Sequence, residues 1–217
     1  RFEACGGHFA MSLDGVGEGF KESKKPHTLE FKTMNEKSFK ATKSMGVKQS
    51  KPIYWAQCQL GMHLAGLDRC FFFAVNKNTD EIYGERIRLD KAEAKLLISK
   101  AENVVFSALP PEKLSDDPSD WRCKFCSYFA VCHGCKIPEV SCRTCSHVTP
   151  ERDGTWSCAK GKPAVTCDDH LYIPQIMPSD LVLVDAGDDF VDYEDQDTGE
   201  VIRNQGNSRE IFAGRMK

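Results

Sequence analysis

Acidic and lysine side chains near the N-terminus carry the first chemical signal of the sequence. Asp14 precedes a glycine, and Glu30 and Lys32 lie two positions apart in a strand-like segment. Residues two apart on a β-strand point to the same face, so we expect Glu30 and Lys32 to share a face while Phe31 points into the core. Two carboxylates and the Phe31 backbone carbonyl could hold Mg²⁺ or Mn²⁺, which favour hard oxygen ligands. A lysine beside that metal could orient an attacking water and stabilise charge developing at a phosphate.

Each of these features alone has an ordinary explanation, because E-x-K is usually a solvated ion pair and Asp-Gly is usually a turn. Residues 21–51 add nine lysines against three glutamates, which suits a polyanionic substrate. A helix that we expect to be N-capped by Ser50 brings Tyr54, Gln57 and Gly61 to roughly one face. The basic segment predicts DNA contacts at five lysines: Lys37, Lys40, Lys43, Lys48 and Lys51.

Cysteines carry the second chemical signal, since eight of the eleven fall between residues 123 and 167. CxxC pairs suit tetrahedral thiolate coordination of zinc. The first predicted metal site contains Cys123, Cys126, Cys132 and Cys135, with His133 as an alternative fourth ligand to Cys135. The second has spacing close to that of a zinc ribbon and contains Cys142, Cys145, Cys158 and Cys167, with His170 as a replacement ligand or a support. We interpret Cys58 and Cys70 as buried apolar residues.

The elements that must position these groups follow the order strand, strand, helix, strand, helix, which predicts an α/β core. Asp90 is placed to cap the last of these helices. Asp197-Thr-Gly199 indicates a hairpin in a tail that carries nine acidic and no basic residues between positions 180 and 200. The predicted domains are a core at 1–112, a linker at 113–120, a cysteine-rich metal-binding module at 121–174 and the acidic tail at 175–217.

Composition excludes several classes of protein. The chain has 217 residues, of which 41% are hydrophobic and 28% charged, with a net charge of −3. That apolar fraction is too high for a wholly disordered chain, and the charge excludes a uniformly basic nucleic-acid binder. No apolar run approaches the roughly 20 residues that span a bilayer, so we expect no membrane partner. Without a secretory signal at the N-terminus, we expect a reducing, cytoplasmic location.

The ordered combination of three segments resembles the PD-(D/E)XK nuclease superfamily: Ser12-Leu-Asp-Gly15, Leu29-Glu-Phe-Lys-Thr33 and Tyr54-Trp-Ala-Gln-Cys-Gln-Leu-Gly-Met62. The match runs from about residue 6 to residue 135 and is closest to RecB-like and lambda-exonuclease-like branches, phage-encoded members in particular. It implies a mixed-sheet nuclease core whose first helix is missing from this chain. By resemblance, Asp14 and Glu30 are metal ligands, Lys32 is the catalytic lysine and Gln57 is the glutamine of the helix motif. His8 is either a further metal ligand or a structural histidine. An aromatic residue commonly follows that glutamine by four positions, where this chain has glycine.

The resemblance further implies a metal-dependent DNA exonuclease of phage recombination, repair or genome processing, acting in the bacterial host cytoplasm beside a single-strand annealing protein. Cys123, Cys126 and Cys132 resemble the cysteine triplet of iron–sulfur RecB-like nucleases, so a [4Fe–4S] cluster with Cys5 as fourth ligand competes with zinc there. The alternative function is a catalytically degenerate nucleic-acid- or protein-binding module that uses the zinc-ribbon-like region.

Overall fold

The computed structural model describes two compact units within residues 1–21, 23–161 and 167–215. The first unit contains residues 1–105 with 152–154, and the second contains the rest of the chain from residue 106. Within the described ranges, no helix combines the length and apolar character needed to cross a membrane. The chain is mixed α/β with a mixed sheet, as the sequence predicts.

A four-stranded mixed sheet organises the first unit. The strand order is β3-β4-β5-β6, in which β4 and β5 are parallel and both outer pairs are antiparallel. A separate antiparallel hairpin joins β1 and β2. The elements in chain order are β1 (Phe2–Ala4), β2 (Phe9–Met11), β3 (Gly15–Gly17), β4 (His27–Met34), α1 (Glu36–Ser50), α2 (Pro52–Leu64), β5 (Arg69–Asn76), β6 (Ile82–Arg88) and α3 (Lys91–Phe106).

Local chemistry explains where the helices begin and break. The Asn35 side chain accepts a hydrogen bond from the backbone of Ser38 and so caps α1. Gly46 interrupts α1 with a positive φ of 76°, and the Glu85 carboxylate accepts from the Val47 backbone just after it. The expectation that Ser50 caps the next helix is wrong. Lys51 occupies that position, and the Ser50 hydroxyl instead donates back to the Gly46 carbonyl at 2.7 Å.

One face of the sheet forms the core of the first unit with α1 and α2. Phe72 and Ala74 of the inner strand β5 are fully buried there, as are Phe39 of α1 and Met62 of α2. Burying a side chain of the size of Phe72 contributes roughly 2 to 3 kcal/mol. The interior strand β5 alternates strictly between buried and half-buried residues, because only one of its faces is covered by helices.

The expectation that Phe31 points into the core is wrong. Glu30 pairs with Phe72 across the parallel β4–β5 ladder, so its side chain shares the helix-covered face, and Glu30 is only 2% exposed. Phe31 therefore lies on the opposite face, where it is 51% exposed and stacks on Phe73 with ring centroids 5.3 Å apart. The alternation was predicted correctly, but the buried face is the one that carries the charges.

The second unit has a core of its own around Tyr172, Tyr193 and Phe212. The predicted hairpin at Asp197–Gly199 is confirmed, since β10 and β11 pair on either side of it, and an unpredicted strand, β9, completes a three-stranded antiparallel sheet. The elements are α4 (Trp121–Lys124), α5 (Phe129–Cys132), β7 (Val148–Pro150), β8 (Trp156–Cys158), β9 (Leu181–Gly187), β10 (Phe190–Asp195), β11 (Val201–Asn204) and α6 (Ser208–Ile211).

Candidate active site

Two carboxylates meet at the junction of β3 and β4. Gly15 pairs with Leu29 in the antiparallel ladder, so Asp14, one residue earlier, comes opposite Glu30. Asp14 Oδ2 accepts a hydrogen bond of 2.8 Å from the backbone N–H of Phe31. That bond holds the exposed Asp14 carboxylate against the strand that bears Glu30, as the sequence predicts.

Lys32 completes this group from the same face of β4. Its ammonium forms an ion pair with Glu30, whose side chain is 3% exposed, while that of Lys32 is 21% exposed. Burial raises the pKa of the Glu30 carboxyl, the ion pair with Lys32 lowers it, and the nearby Asp14 charge raises it. The Lys32 ammonium also lies 5.1 Å from the ring centroid of Tyr54, so a carboxylate and an aromatic face hold it in place.

Helix α2 supplies the second wall of the site. Gly61 lies close to Leu13, the residue before Asp14, because a Cβ at position 61 would come within 2.7 Å of Leu13 Cδ2. The glycine in the position of the expected aromatic residue therefore permits a close approach of the chain that carries Asp14. Gln57 is half-buried, and its side chain has no hydrogen-bond partner among the described residues.

Sequence reasoning missed Gln59, the fully buried glutamine of this helix. Its Nε2 donates to the Arg88 carbonyl at 3.1 Å, and its Oε1 accepts from the Asp90 backbone N–H at 2.7 Å. It therefore joins α2 to the end of β6 and the start of α3. No local sequence signal separates it from Gln57, since its role depends on partners about 30 residues away.

Cys58 and Cys70 lie in the core beside this site, as predicted, with exposures of 2% and 1%. The neighbouring Cys70 thiol and burial both raise the pKa of the Cys58 thiol. His8 follows the short 3₁₀ turn Cys5–Gly7 between β1 and β2, outside the sheet that carries Asp14 and Glu30. The role predicted for His8 stays a prediction.

The five predicted DNA-binding lysines all lie on α1 or at its end. Lys40 pairs with Glu36 on its own helix, and Lys43 pairs with Glu81 at 2.5 Å. Lys48 lies over the Trp55 ring at 4.9 Å from its centroid. Lys37 is exposed, and Lys51 is half-buried between the two helices. The exposed ion pairs of Lys40 and Lys43 contribute little stability, about 0 to 1 kcal/mol each.

The first cysteine set is partly gathered. Cys123 is buried in α4, whereas Cys126, Cys132 and Cys135 are exposed. Burial is the main cause that raises the pKa of the Cys123 thiol, with smaller contributions from several charges, including Cys126 and Cys132. The backbone N–H of Cys126 donates to the Cys123 carbonyl at 2.9 Å, which places these two cysteines in one turn.

The second cysteine set is more fully gathered. Burial raises the pKa of the Cys142 thiol, and the thiols of Cys145, Cys158 and Cys167 raise it further. His170 is 2% exposed, and burial lowers its pKa to about 4. All eleven cysteines are free thiols. Within residues 1–21, 23–161 and 167–215, no three His, Cys, Asp or Glu side chains form a ready-made metal site.

A divalent cation fits the candidate active site on the chemistry of its donors. Asp14 has one oxygen engaged by the Phe31 N–H and a second oxygen left for a ligand. Burial raises the pKa of Glu30, so a cation would relieve the cost of its charge. Mg²⁺ commonly takes one or two carboxylates and keeps several waters, which the exposed Asp14 carboxylate opposite buried Glu30 allows. No family description, curated protein or solved structure matches the chain.

Proposed function

We propose that the chain is a metal-dependent DNA nuclease that hydrolyses phosphodiester bonds. One observation carries this proposal: Asp14 and Glu30 lie opposite each other across two paired strands, and Lys32 pairs with Glu30 on the same face. A role in phosphodiester hydrolysis explains these two carboxylates and the lysine better than a purely structural ion pair does. Burying the charge of Glu30 costs free energy that the stability of the fold does not require.

The proposed chemistry divides between a cation and the side chains of the site. Bound Mg²⁺ or Mn²⁺, held by Asp14, Glu30 and the Phe31 carbonyl, would supply charge stabilisation at the phosphate. Lys32 would orient the attacking water, and the Tyr54 ring would limit the movement of its ammonium. Gln57, whose side-chain amide has no hydrogen-bond partner among the described residues, would contact the DNA or Lys32.

The substrate, partner and setting are proposed from the resemblance to RecB-like and lambda-exonuclease-like nucleases. The α1 lysines would follow the DNA backbone, and exonucleolytic action in phage recombination, repair or genome processing is the expected biology. A single-strand annealing protein is the expected partner, in the bacterial host cytoplasm. The first cysteine set would hold zinc or a [4Fe–4S] cluster; the iron, sulfide and zinc contents of anaerobically purified protein separate the two.

Cleavage of linear duplex DNA with Mg²⁺ or Mn²⁺ tests the proposal. We expect Asp14→Asn and Lys32→Ala each to lower the cleavage rate by at least about 100-fold, because each removes a group that acts on the reacting phosphate. Lys95→Ala, an exposed lysine on α3, and Asp116→Asn, an exposed aspartate, are matched controls that should cleave at the wild-type rate.

Two outcomes would refute the assignment. Equal cleavage by wild type, Asp14→Asn and Lys32→Ala would show that another site performs the reaction. No cleavage by the wild type with either metal, together with salt-sensitive DNA binding, would favour the catalytically degenerate binding module instead.

A further inference from the structure

The segment between Ser141 and Gly161 has almost no hydrophobic core of its own. Its two strands, β7 and β8, have three residues each, and Trp156 within them is 45% exposed. Cys145 is the one buried apolar side chain in this described stretch. A two-stranded hairpin without a core is marginal in water, and small folds of this kind usually need a disulfide or a metal.

Backbone hydrogen bonds bring the cysteines of this segment to one end of the hairpin. The 3₁₀ turn Cys142–Thr144 is closed by a bond from the Thr144 N–H to the Ser141 carbonyl at 3.0 Å. Val148 pairs with Cys158 across the two strands, and the Val148 N–H donates to the Cys145 carbonyl. Cys145 and Cys158 therefore come from adjoining backbone.

Cys158 and Cys167 complete the set. Cys158 starts a tight turn in which its carbonyl accepts from the Gly161 N–H at 2.9 Å, with Gly161 at a positive φ of 64°. Cys167 is the next described residue after Gly161, and it lies three residues before His170, whose Nε2 hydrogen-bonds with Thr144 Oγ1 at 3.2 Å in the turn that begins at Cys142. The backbone therefore places Cys142, Cys145 and Cys158 in neighbouring turns at one end of the hairpin, and the chain that follows Cys167 returns to the first of these turns.

His170 is excluded as a ligand by its existing bonds. Its Nε2 hydrogen-bonds with Thr144 Oγ1 at 3.2 Å, and its Nδ1 hydrogen-bonds with Ser208 Oγ at 2.9 Å. Both ring nitrogens are therefore engaged, and neither is free to coordinate a metal. Through Thr144 the ring braces the turn that carries Cys142, and through Ser208 it anchors that turn to α6.

We propose that Cys142, Cys145, Cys158 and Cys167 together bind one structural Zn²⁺, and that His170 is a brace for this site and not a ligand. Four thiolates at about 2.3 Å from the ion complete the tetrahedral shell of structural zinc. The described residues contain no ready-made group of three metal-binding side chains, so we expect zinc binding to draw the four thiols together and to order the hairpin at the same time. The zinc replaces the hydrophobic core that this segment lacks.

Site-resolved alkylation of the wild-type chain, with and without a zinc chelator, is the first test. With zinc, we expect Cys142, Cys158 and Cys167, all half-buried, to react at least about tenfold more slowly than after chelation. Equal rates in both conditions would overturn the proposal. Because this test uses the unmodified protein, it does not depend on the folding of any variant.

Metal content and cobalt substitution of the full-length chain are the second test. Cys158→Ser should lose one zinc equivalent and weaken the thiolate-to-cobalt absorption, whereas His170→Ala should keep both the zinc and a four-thiolate cobalt spectrum. The control Cys126→Ser, in the first cysteine set, should leave the protection of Cys142 and Cys167 unchanged. Loss of this zinc in His170→Ala with retention in Cys167→Ser would overturn the ligand set. No result here depends on DNA cleavage, so failure of the proposed nuclease function is seen separately.

Discussion

Two glutamines separated by one residue on α2 should have opposite roles, and this contrast gives the sharpest prediction. Gln59 is fully buried and satisfies the Arg88 carbonyl and the Asp90 N–H, whereas the side chain of Gln57 has no hydrogen-bond partner in the described part of the chain. Gln59→Ala leaves both backbone groups without a partner. Each lost partner of a buried group costs about 1 to 3 kcal/mol, so we expect Gln59→Ala to lower the free energy of unfolding by about 2 to 4 kcal/mol.

Gln57→Ala is the matched control for this change, since it deletes the same atoms from the same helix. We expect it to change the free energy of unfolding by less than about 1 kcal/mol, because no hydrogen bond within the described chain is lost. If the nuclease proposal holds, Gln57→Ala should instead slow DNA cleavage, whereas Gln59→Ala should cleave normally at temperatures where it is folded.

Urea unfolding of both variants measures the stabilities, and hydrogen exchange locates the effect of Gln59→Ala. The first turn of α3 should exchange faster, because its cap Asp90 loses the bond that fixes its backbone. Equal stabilities for the two variants would refute the reasoning, as would a loss in Gln57→Ala that exceeds the loss in Gln59→Ala.

Three further contrasts test the packing and electrostatics of the two units. Phe72→Ala should lower the free energy of unfolding by about 3 to 5 kcal/mol and Phe31→Ala by less than about 1, because only the first is buried; urea midpoints decide this. His170 has a pKa lowered to about 4 by burial from an ordinary 6.5, so its stabilising contribution is complete above about pH 6.5 and is lost as pH falls toward 4. We therefore expect the wild type to lose about 2 kcal/mol more than His170→Asn between pH 7 and pH 5, measured by urea unfolding at each pH. Arg215→Met leaves two largely buried aspartates without their ion-pair partner, so it should lower the free energy of unfolding by about 3 kcal/mol. Arg203→Met removes a more exposed ion pair and should lower it by less than about 1 kcal/mol. Thermal melts that rank the two variants in the reverse order would contradict this.

Patterns with a local cause were predictable from the sequence. Asp90 caps α3 as expected, since its Oδ1 accepts from the Glu93 N–H, and the Asp197–Gly199 turn joins two paired strands. These features depend on side chains within three or four residues of the backbone they satisfy. The position of Asp14 opposite Glu30 was also predictable, because it depends only on the register between two strands that lie close together in the sequence.

Features that depend on distant partners were not predictable. The alternation of Glu30 and Phe31 indicates two faces of β4, but only the helices from later in the chain decide which face is buried. Strand β9 was missed because the apolar run Leu181–Val184, four of its seven residues, lies within a segment that composition marked as an acidic tail. Its role depends on pairing with β10, whose register contains a bulge at Asp192.

Gly61 of helix α2 affects the geometry of the candidate active site without contacting any of its charged side chains. An interior glycine costs about 1 kcal/mol of helix stability relative to alanine. At position 61 the glycine allows Leu13, the residue before Asp14, to approach the helix closely. Two turns earlier on the same helix, the ring of Tyr54 faces the Lys32 ammonium. One rigid element therefore bounds both the strand that brings the first carboxylate and the lysine that pairs with the second. A larger side chain at position 61 would displace Leu13 and, through it, the backbone of Asp14, so the glycine is better understood as a determinant of site geometry than as a defect in the helix.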